Sequence, residues 1–374
     1  MKKIYLDNQS TTPVDPEVLE YMLPYFTDRF GNASSKTHSY GWEAEAAIEI
    51  AREQIAKLIN CTPNELFFTS GATESNNIAV TSNNFFKHIL TLSTEHRAIL
   101  DICDILSKRG AMITYIKPAK DGIIDINIFK EKLKKNISLV SIMHANNEIG
   151  VIQPIKKIGE LCKRKDIPFH VDAAQSLGKI NIDVKKMNID LMSISSHKIY
   201  GPKGIGALYI NHKIKHKIKP IFFGGGQENG IRPGTQPVPL IVGFGKACDI
   251  SYHKIESESK KILKLRNLLI KKIKSEIPDT VINGCMNKRL PGNINLTFPT
   301  LRGQSIIASV PSIAISSGSA CTSSSPKPSH VLLELGLSKN LSNSSIRVGI
   351  GRFNTRKEII IAADSIIKAI KLKS

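Results

Sequence analysis

The sequence predicts an α/β fold with a mostly parallel sheet covered by helices, followed by a smaller α+β unit. Three observations predict it. Apolar runs alternate with amphipathic stretches from about residue 15 to 250. The alternation stops after the glycine cluster GGGQENGIRPGT at 224–235. A chain of 374 residues also exceeds the size at which one apolar core keeps growing, so two domains are expected. Sheets of this kind hold ligands in the crevice beyond the carboxyl ends of their strands.

The elements follow in order. MKKIYLDNQSTT has a trivial apolar run before Asp7, and these first dozen or so residues are expected to pack on the second unit. WEAEAAIEIAREQIAKLIN (42–60) and IKKIGELCKRK (155–165) have helical periodicity. Strands are expected at ELFFTS (65–70), HILTLS (88–93), AMITYI (111–116), SLVSIMH (138–144), PFHVDA (168–173), LMSISS (191–196) and ALYI (207–210). Beyond the glycines a long helix spans about 239–276, closed by Pro278. NINLTF (293–298) reads as a strand, SSGSACTSSSPKPS (316–329) as a loop and about 356–372 as a last helix. The expected division is a large domain at 15–256 and a small one made of 1–14 and 257–374.

Composition narrows the function classes. No run approaches the ~20 apolar residues that span a bilayer, and the N-terminus does not read as a secretory signal, so a cytoplasmic protein without membrane contact is expected. The net charge of +20 invites a nucleic-acid partner, yet the lysines are scattered and no aromatic RNA-binding signature accompanies them. The excess reads as compositional bias, with no direct nucleic-acid partner. The six cysteines form no CxxC pair, so neither a metal site nor a disulfide framework is expected. Five sit in helix-like or strand-edge contexts and read as small buried hydrophobes.

The chemistry gathers where strands finish. In SISSHKIYGPKGIG, Lys198 stands between an apolar run and a glycine-rich turn, beside His197. A partly desolvated amine loses its proton and becomes a nucleophile able to form a Schiff base. Strand 65–70 leads into Gly71, Ala72 and Thr73 before a helix, where N–H groups and a hydroxyl suit a phosphate or simply cap the helix. Later strands deliver His96, then Asn147, then Asp172 with Gln175 three residues on. An aspartate there either caps a helix or keeps a pyridinium nitrogen protonated. Lys198 follows Asp172 by 26 residues, room for one helix and a return strand. Ser195 and His197 flank the lysine as further phosphate donors.

Cys321 differs from the other cysteines. Its neighbours, Ser316 to Ser325, are small and polar, which predicts an exposed loop and a thiol wanted for its reactivity. Downstream, Arg347 and Arg352 offer guanidinium groups suited to a carboxylate. No nucleotide-binding glycine pattern is present.

Taken together, TSGATESNN, TEHRAIL, MHANNEIGVIQP, HVDAAQS, SHKIYGPKGIGALY, GGGQENGIRPGT, SSGSACTS and SSIRVGIGRF resemble, in order and over nearly the whole chain, the cysteine desulfurases of the NifS/IscS type. These are fold-type I pyridoxal-phosphate enzymes. The resemblance implies pyridoxal 5′-phosphate as cofactor, Lys198 as its Schiff-base lysine and Cys321 as the sulfur acceptor from L-cysteine. His96 would stack on the pyridine ring and assist proton transfer, Asp172 would pair with the ring nitrogen, and Gln175 would bond the phenolic oxygen. Ala72, Thr73, Ser195 and His197 would take the phosphate, with Thr235 from the second subunit of a homodimer. Asn147 and Arg347 would receive the substrate carboxylate. Sulfur would pass to accepting proteins such as an iron–sulfur scaffold, and to tRNA thiolation. The chain departs from the family pattern at Ala33, where proline is usual, in the less acidic LRGQSIIA, at Pro311, and in a shorter tail after the last helix. A related pyridoxal-phosphate aminotransferase or lyase and a non-catalytic adaptor are the competing classes.

Overall fold

The seven apolar runs between 65 and 210 become the strands of one sheet. The computed structural model describes residues 3–81, 87–299, 301–317 and 328–373. In chain order the strands are β1 (Ile4–Tyr5), β2 (Leu66–Thr69), β3 (His88–Leu92), β4 (Met112–Ile116), β5 (Leu139–Ser141) and β6 (Phe169–Asp172). They continue with β7 (Leu191–Ser195), β8 (Gly206–Ile210), β9 (Val281–Ile282), β10 (Asn293–Thr297), β11 (Ile313–Ala314) and β12 (Ser345–Gly349).

The large sheet runs β2-β8-β7-β6-β5-β3-β4. The pairs from β7 to β4 are parallel, while β8 is antiparallel to both β7 and β2. Inner strands are buried at every position and β4, at the edge, is mostly not. That is why the inner strands read as continuous apolar runs rather than alternating ones. Because β2, β3, β5, β6 and β7 point the same way, the segments that follow Thr69, Leu92, Ser141, Asp172 and Ser195 emerge at one edge of the sheet.

One connection departs from expectation. Residues 173–190, between β6 and β7, form turns rather than a helix. Gly178 (φ +63°) and Asn188 (φ +52°) take left-handed conformations that bend the chain there. The long helix Val238–Glu276 already packs on this side: a Cβ on Gly178 would lie 2.9 Å from Ser251 Oγ.

That helix crosses from one apolar cluster to another. Ile241, Phe244 and Ile250 belong with the sheet and helix Ser39–Ile59, whereas Leu265, Leu269 and Ile273 pack with β10, β12 and helix Arg356–Lys371. The second region has an antiparallel β12-β10-β9 sheet, and β1 pairs parallel with β11. Leu6 belongs to this second cluster. Of the cysteines read as buried, Cys103, Cys162 and Cys248 are, but Cys61 and Cys285 are only half-buried.

Candidate active site

Lys198 closes a single turn of helix, Ser196–Lys198, directly after β7. Its Nζ donates to the main-chain carbonyls of Gln9, at 2.7 Å, and Ser10. The turn behind it is held tightly. Tyr200 has φ +68°, a conformation disfavoured for a bulky side chain. Its N–H donates to Thr12 Oγ1 at 2.9 Å, its carbonyl accepts from Asp15 N–H at 2.9 Å, and the Arg352 guanidinium lies 4.3 Å from its ring centre. A strained residue persists only where its surroundings over-determine it. The strain therefore points to a fixed Lys198.

Lys198 lines a cavity of about 1050 Å³, counted out to its open mouth. The end of β2 forms one wall. Gly71 (φ +156°) turns the chain into helix Ala72–Thr81, so Ala72 and Thr73 lie in the helix rather than ahead of it. A Cβ on Gly206 would sit 2.7 Å from Gly71 Cα, so only glycine lets the two strand ends approach. The first amides of a helix lack partners within it and suit an anion. Ala72 and Thr73 line the cavity together with Ser195 and His197. Burial, and then the nearby Lys198, Lys203 and Lys179, pull the His197 imidazole down to about 4, so it is neutral at pH 7. Its Nδ1 pairs with Thr11 Oγ1 at 3.0 Å.

The opposite wall carries His96, Asp172 and Gln175. His96 caps helix Arg97–Lys108, and its Nδ1 accepts the Ala98 N–H at 3.1 Å. The neutral ring therefore carries its proton on Nε2. Burial lowers the His96 pKa, with Asp172 opposing and Lys198 adding to the effect, which favours that neutral ring. Asp172 ends β6 and is 6% exposed. It accepts from Asn76 Nδ2 at 2.8 Å and from the Ala174 N–H at 2.9 Å. The side-chain amide of Gln175 donates to the Gln9 carbonyl at 2.9 Å, while its Oε1 is buried without a partner among the described residues. An unmatched buried acceptor in a cavity wall calls for an occupant that pairs with it.

Asn147 lines the same cavity, and its carbonyl accepts from Arg347 Nη1 at 3.0 Å. Arg347 is 1% exposed and stands behind that wall rather than lining it. Its Nη2 pairs with Asp7 Oδ1 at 2.8 Å, and its Nε–H is buried without a partner among the described residues. Arg352 is removed from this cavity: it pairs with Asp15 at 2.6 Å and Glu258 at 2.7 Å. Thr235 is exposed and does not line the cavity of its own chain. Cys321 lies outside the described residues, within 318–327.

Sequence reasoning missed the N-terminal segment 7–12 as part of the site. Asp7 holds Arg347, Gln9 and Ser10 hold Lys198, Thr11 holds His197, and Thr12 holds Tyr200. The available signal was composition: six consecutive polar residues, DNQSTT, lie between an apolar pair and a helix cap, where solvent exposure alone asks for no such run.

Comparisons with known proteins agree in direction. The model for the aminotransferase class-V family matches residues 4–361. The cysteine desulfurase IscS of Ehrlichia chaffeensis is 52% identical over 98% of this chain and 91% of its own. A solved NifS-like protein superposes with a TM-score of 0.92 at 33% identity, covering 99% of this chain and 100% of its own. A solved structure of SspA in complex with cysteine superposes with a TM-score of 0.84 at 39% identity, over 94% of this chain and 100% of that one.

Proposed function

The chain belongs to the class-V aminotransferases, among their NifS/IscS-type cysteine desulfurases, and on that premise we propose how its own residues do the work. The protein is a pyridoxal 5′-phosphate-dependent enzyme that takes sulfur from L-cysteine and leaves L-alanine. The observation that carries the assignment of residues is one cavity with Lys198, Asp172, His96 and Asn147 in its walls.

The cavity fits the cofactor. The helix start at Ala72 and Thr73, with Ser195 and neutral His197, suits a phosphate, and the unmatched Gln175 amide suits a ring substituent. When bound, pyridoxal 5′-phosphate supplies an electron sink for charge left on the substrate Cα. Asp172, fixed by Asn76 and the Ala174 amide, holds a proton at the ring nitrogen. Lys198 would hold the cofactor through its Nζ, and its free amine would serve as the base that takes up the Cα proton. Neutral His96 moves a proton at Nε2.

Asn147 receives the substrate carboxylate at the cavity wall, and Arg347, held directly behind it by its bond to the Asn147 carbonyl, lends that carboxylate its positive charge. Cys321 acts as thiolate on the substrate sulfur. A sulfur–sulfur bond forms, the carbon–sulfur bond breaks with its electron pair going to the carbon skeleton, and that carbon is protonated. L-cysteine and the Cys321 thiol thereby become L-alanine and a Cys321 persulfide, with no outside oxidant.

The persulfide passes to accepting proteins, of which an iron–sulfur scaffold is the first expected and a tRNA-thiolation relay the second. The working unit is a homodimer. Leu23, Phe26, Phe30, Tyr40 and Trp42 expose large apolar surface near the N-terminus, which favours a partner. Thr235, exposed here, is then supplied to the phosphate of the other subunit. The domain division at 256 is supported by the two apolar clusters that helix Val238–Glu276 joins. A cytoplasmic setting is supported by five described cysteines that are all free thiols. No described helix is long and apolar enough to cross a membrane.

Borohydride reduction of the holoenzyme followed by peptide mapping tests the reading. The phosphopyridoxyl group is expected on Lys198; its appearance on another lysine would overturn the assignment. Cys321→Ser should keep the cofactor absorbance and release no alanine in step with sulfur.

A further inference from the structure

The outer edge of the large sheet is closed by side chains rather than by another strand. β2 is an end strand of that sheet, paired with β8. On its other side the Phe68 N–H donates to Glu228 Oε2 at 2.8 Å, and the Leu66 carbonyl accepts from Arg52 Nη1 at 2.7 Å. Arg52 and Glu228 meet each other through two bonds of 3.0 Å, one from each terminal nitrogen of the guanidinium. Their side chains are only 10% and 2% exposed. Gln236 Nε2 also donates to Glu228 Oε1, so four donors converge on this one carboxylate.

Shielding an edge strand does not call for this. A lysine or a proline on the strand does it without burying charge. Glu228 and Asn229 also take left-handed conformations, φ +50° and +53°, which side chains hold only where their surroundings fix them. What the arrangement fixes is the loop 226–236. Gln227 Oε1 accepts the Gly234 N–H at 2.9 Å and closes that loop on itself. Arg232 Nε donates at 2.8 Å to Glu74, which stands in the first turn of helix Ala72–Thr81. Thr235 lies between two tied residues, Gly234 and Gln236, and is exposed. A loop braced at three points around one outward hydroxyl is suited to present that hydroxyl, which covering a sheet edge does not require.

Resting on the reading that Thr235 serves the cofactor phosphate of the other subunit, we propose that Glu228 is the positioning residue for that contact. Its carboxylate ties the loop to β2 and to Gln236, and so sets where the Thr235 hydroxyl stands. A hydroxyl already held in place loses little freedom on meeting a phosphate, and the entropy spared appears as affinity. The same strand leads into Ala72 and Thr73, so β2 braces the phosphate contacts of both subunits' sites.

The test compares the affinities of the full-length protein for pyridoxal 5′-phosphate and for pyridoxal, which keeps the aldehyde and lacks the phosphate. Both are followed by visible absorbance, without turnover. Glu228→Gln keeps the shape but must turn an amide N–H₂ toward two donors. It should lower the preference for the phosphorylated form by about tenfold and leave the affinity for pyridoxal unchanged. Thr235→Val should lower the preference to the same degree, and the double variant should fall no further. A preference lost in Thr235→Val but kept in Glu228→Gln overturns this inference alone. So does an equal fall of both affinities in Glu228→Gln, the mark of a merely structural role. A preference kept in full by Thr235→Val overturns it together with the reading it rests on. Should Glu228→Gln not fold, Gln236→Met leaves the Arg52–Glu228 pair intact and cuts only its tie to the residue after Thr235. It should lower the preference about threefold, and an undiminished preference there counts equally against the proposal.

Discussion

The two sides of Lys198 are built to opposite specifications. Toward the open cavity, Asp172, His96 and His197 each make hydrogen bonds within the protein that fix their orientation. Toward the narrower cavity, Lys179, Ser251 and Gln9 each present a buried polar atom with no partner among the described residues. Open-side groups are oriented for a ligand that arrives and leaves. On its other side the lysine borders a narrow polar cavity with no room between its walls for more than water. The contrast teaches that one lysine can be served by two differently built walls, and that these come from different parts of the chain.

Substitutions that separate the two sides differ in size. Lys198→Ala removes the group common to both and should cut alanine formation by about 10³-fold or more, measured under saturating L-cysteine; a fall of only a few-fold would break the account. Gly178→Ala attacks the narrow side through the backbone. Its φ of +63° and a Cβ 2.9 Å from Ser251 Oγ make a cost of about 2–3 kcal/mol the expected result in urea unfolding. A variant as stable as wild type would mean that this side is looser than its packing shows.

Lys179→Met should stabilise the protein in a pH-dependent way. Burial, and then Lys198 and Arg347, lower the folded-state pKa of Lys179 to about 7 from the ordinary 10.5, so between those values the unfolded chain binds more protons and wild-type stability rises with pH. The variant should therefore gain on the order of 2 kcal/mol at pH 6, with the advantage fading toward pH 10.5. A constant difference across that window would show that Lys179 is charged without strain.

The smallest expected effect belongs to the open side. Asp7→Asn leaves the geometry of the N-terminal segment but removes the charge that holds Arg347. KM for L-cysteine should shift by about tenfold while kcat changes little, the signature of altered ground-state binding. An equal loss in both constants would place Asp7 in the chemical step.

How much of this was legible in the sequence follows from the kind of physics involved. The sheet was legible because its inner strands are buried on both faces and so leave unbroken apolar runs, as in LMSISS and PFHVDA. Strand ends carried the site because parallel connections bring Thr69, Ser141, Asp172 and Ser195 to one edge. The connection after Asp172 was misread as helical, since its turns depend on left-handed Gly178 and Asn188, and Gly178 meets a helix more than fifty residues away.

Arg352 looked like a second carboxylate clamp, and only its partners Asp15 and Glu258 reveal a structural ion pair. Lys179 could not have been found at all from its neighbours in sequence. In SLGKIN it is an ordinary turn lysine, and only tertiary packing seals its ammonium and withholds a counter-ion. The N-terminal run DNQSTT lies between these cases: its polarity was visible, but not that it reaches across to hold Lys198.

The central claim is that sulfur leaves L-cysteine on Cys321 under the control of Lys198. Its most direct test is a single-turnover reaction of the holoenzyme with isotopically labelled L-cysteine, followed by alkylation and peptide mass spectrometry. The account predicts one labelled sulfur on the Cys321 peptide for each L-alanine formed. Label on Cys61 or Cys285, or alanine formed with no protein-bound sulfur, would contradict it.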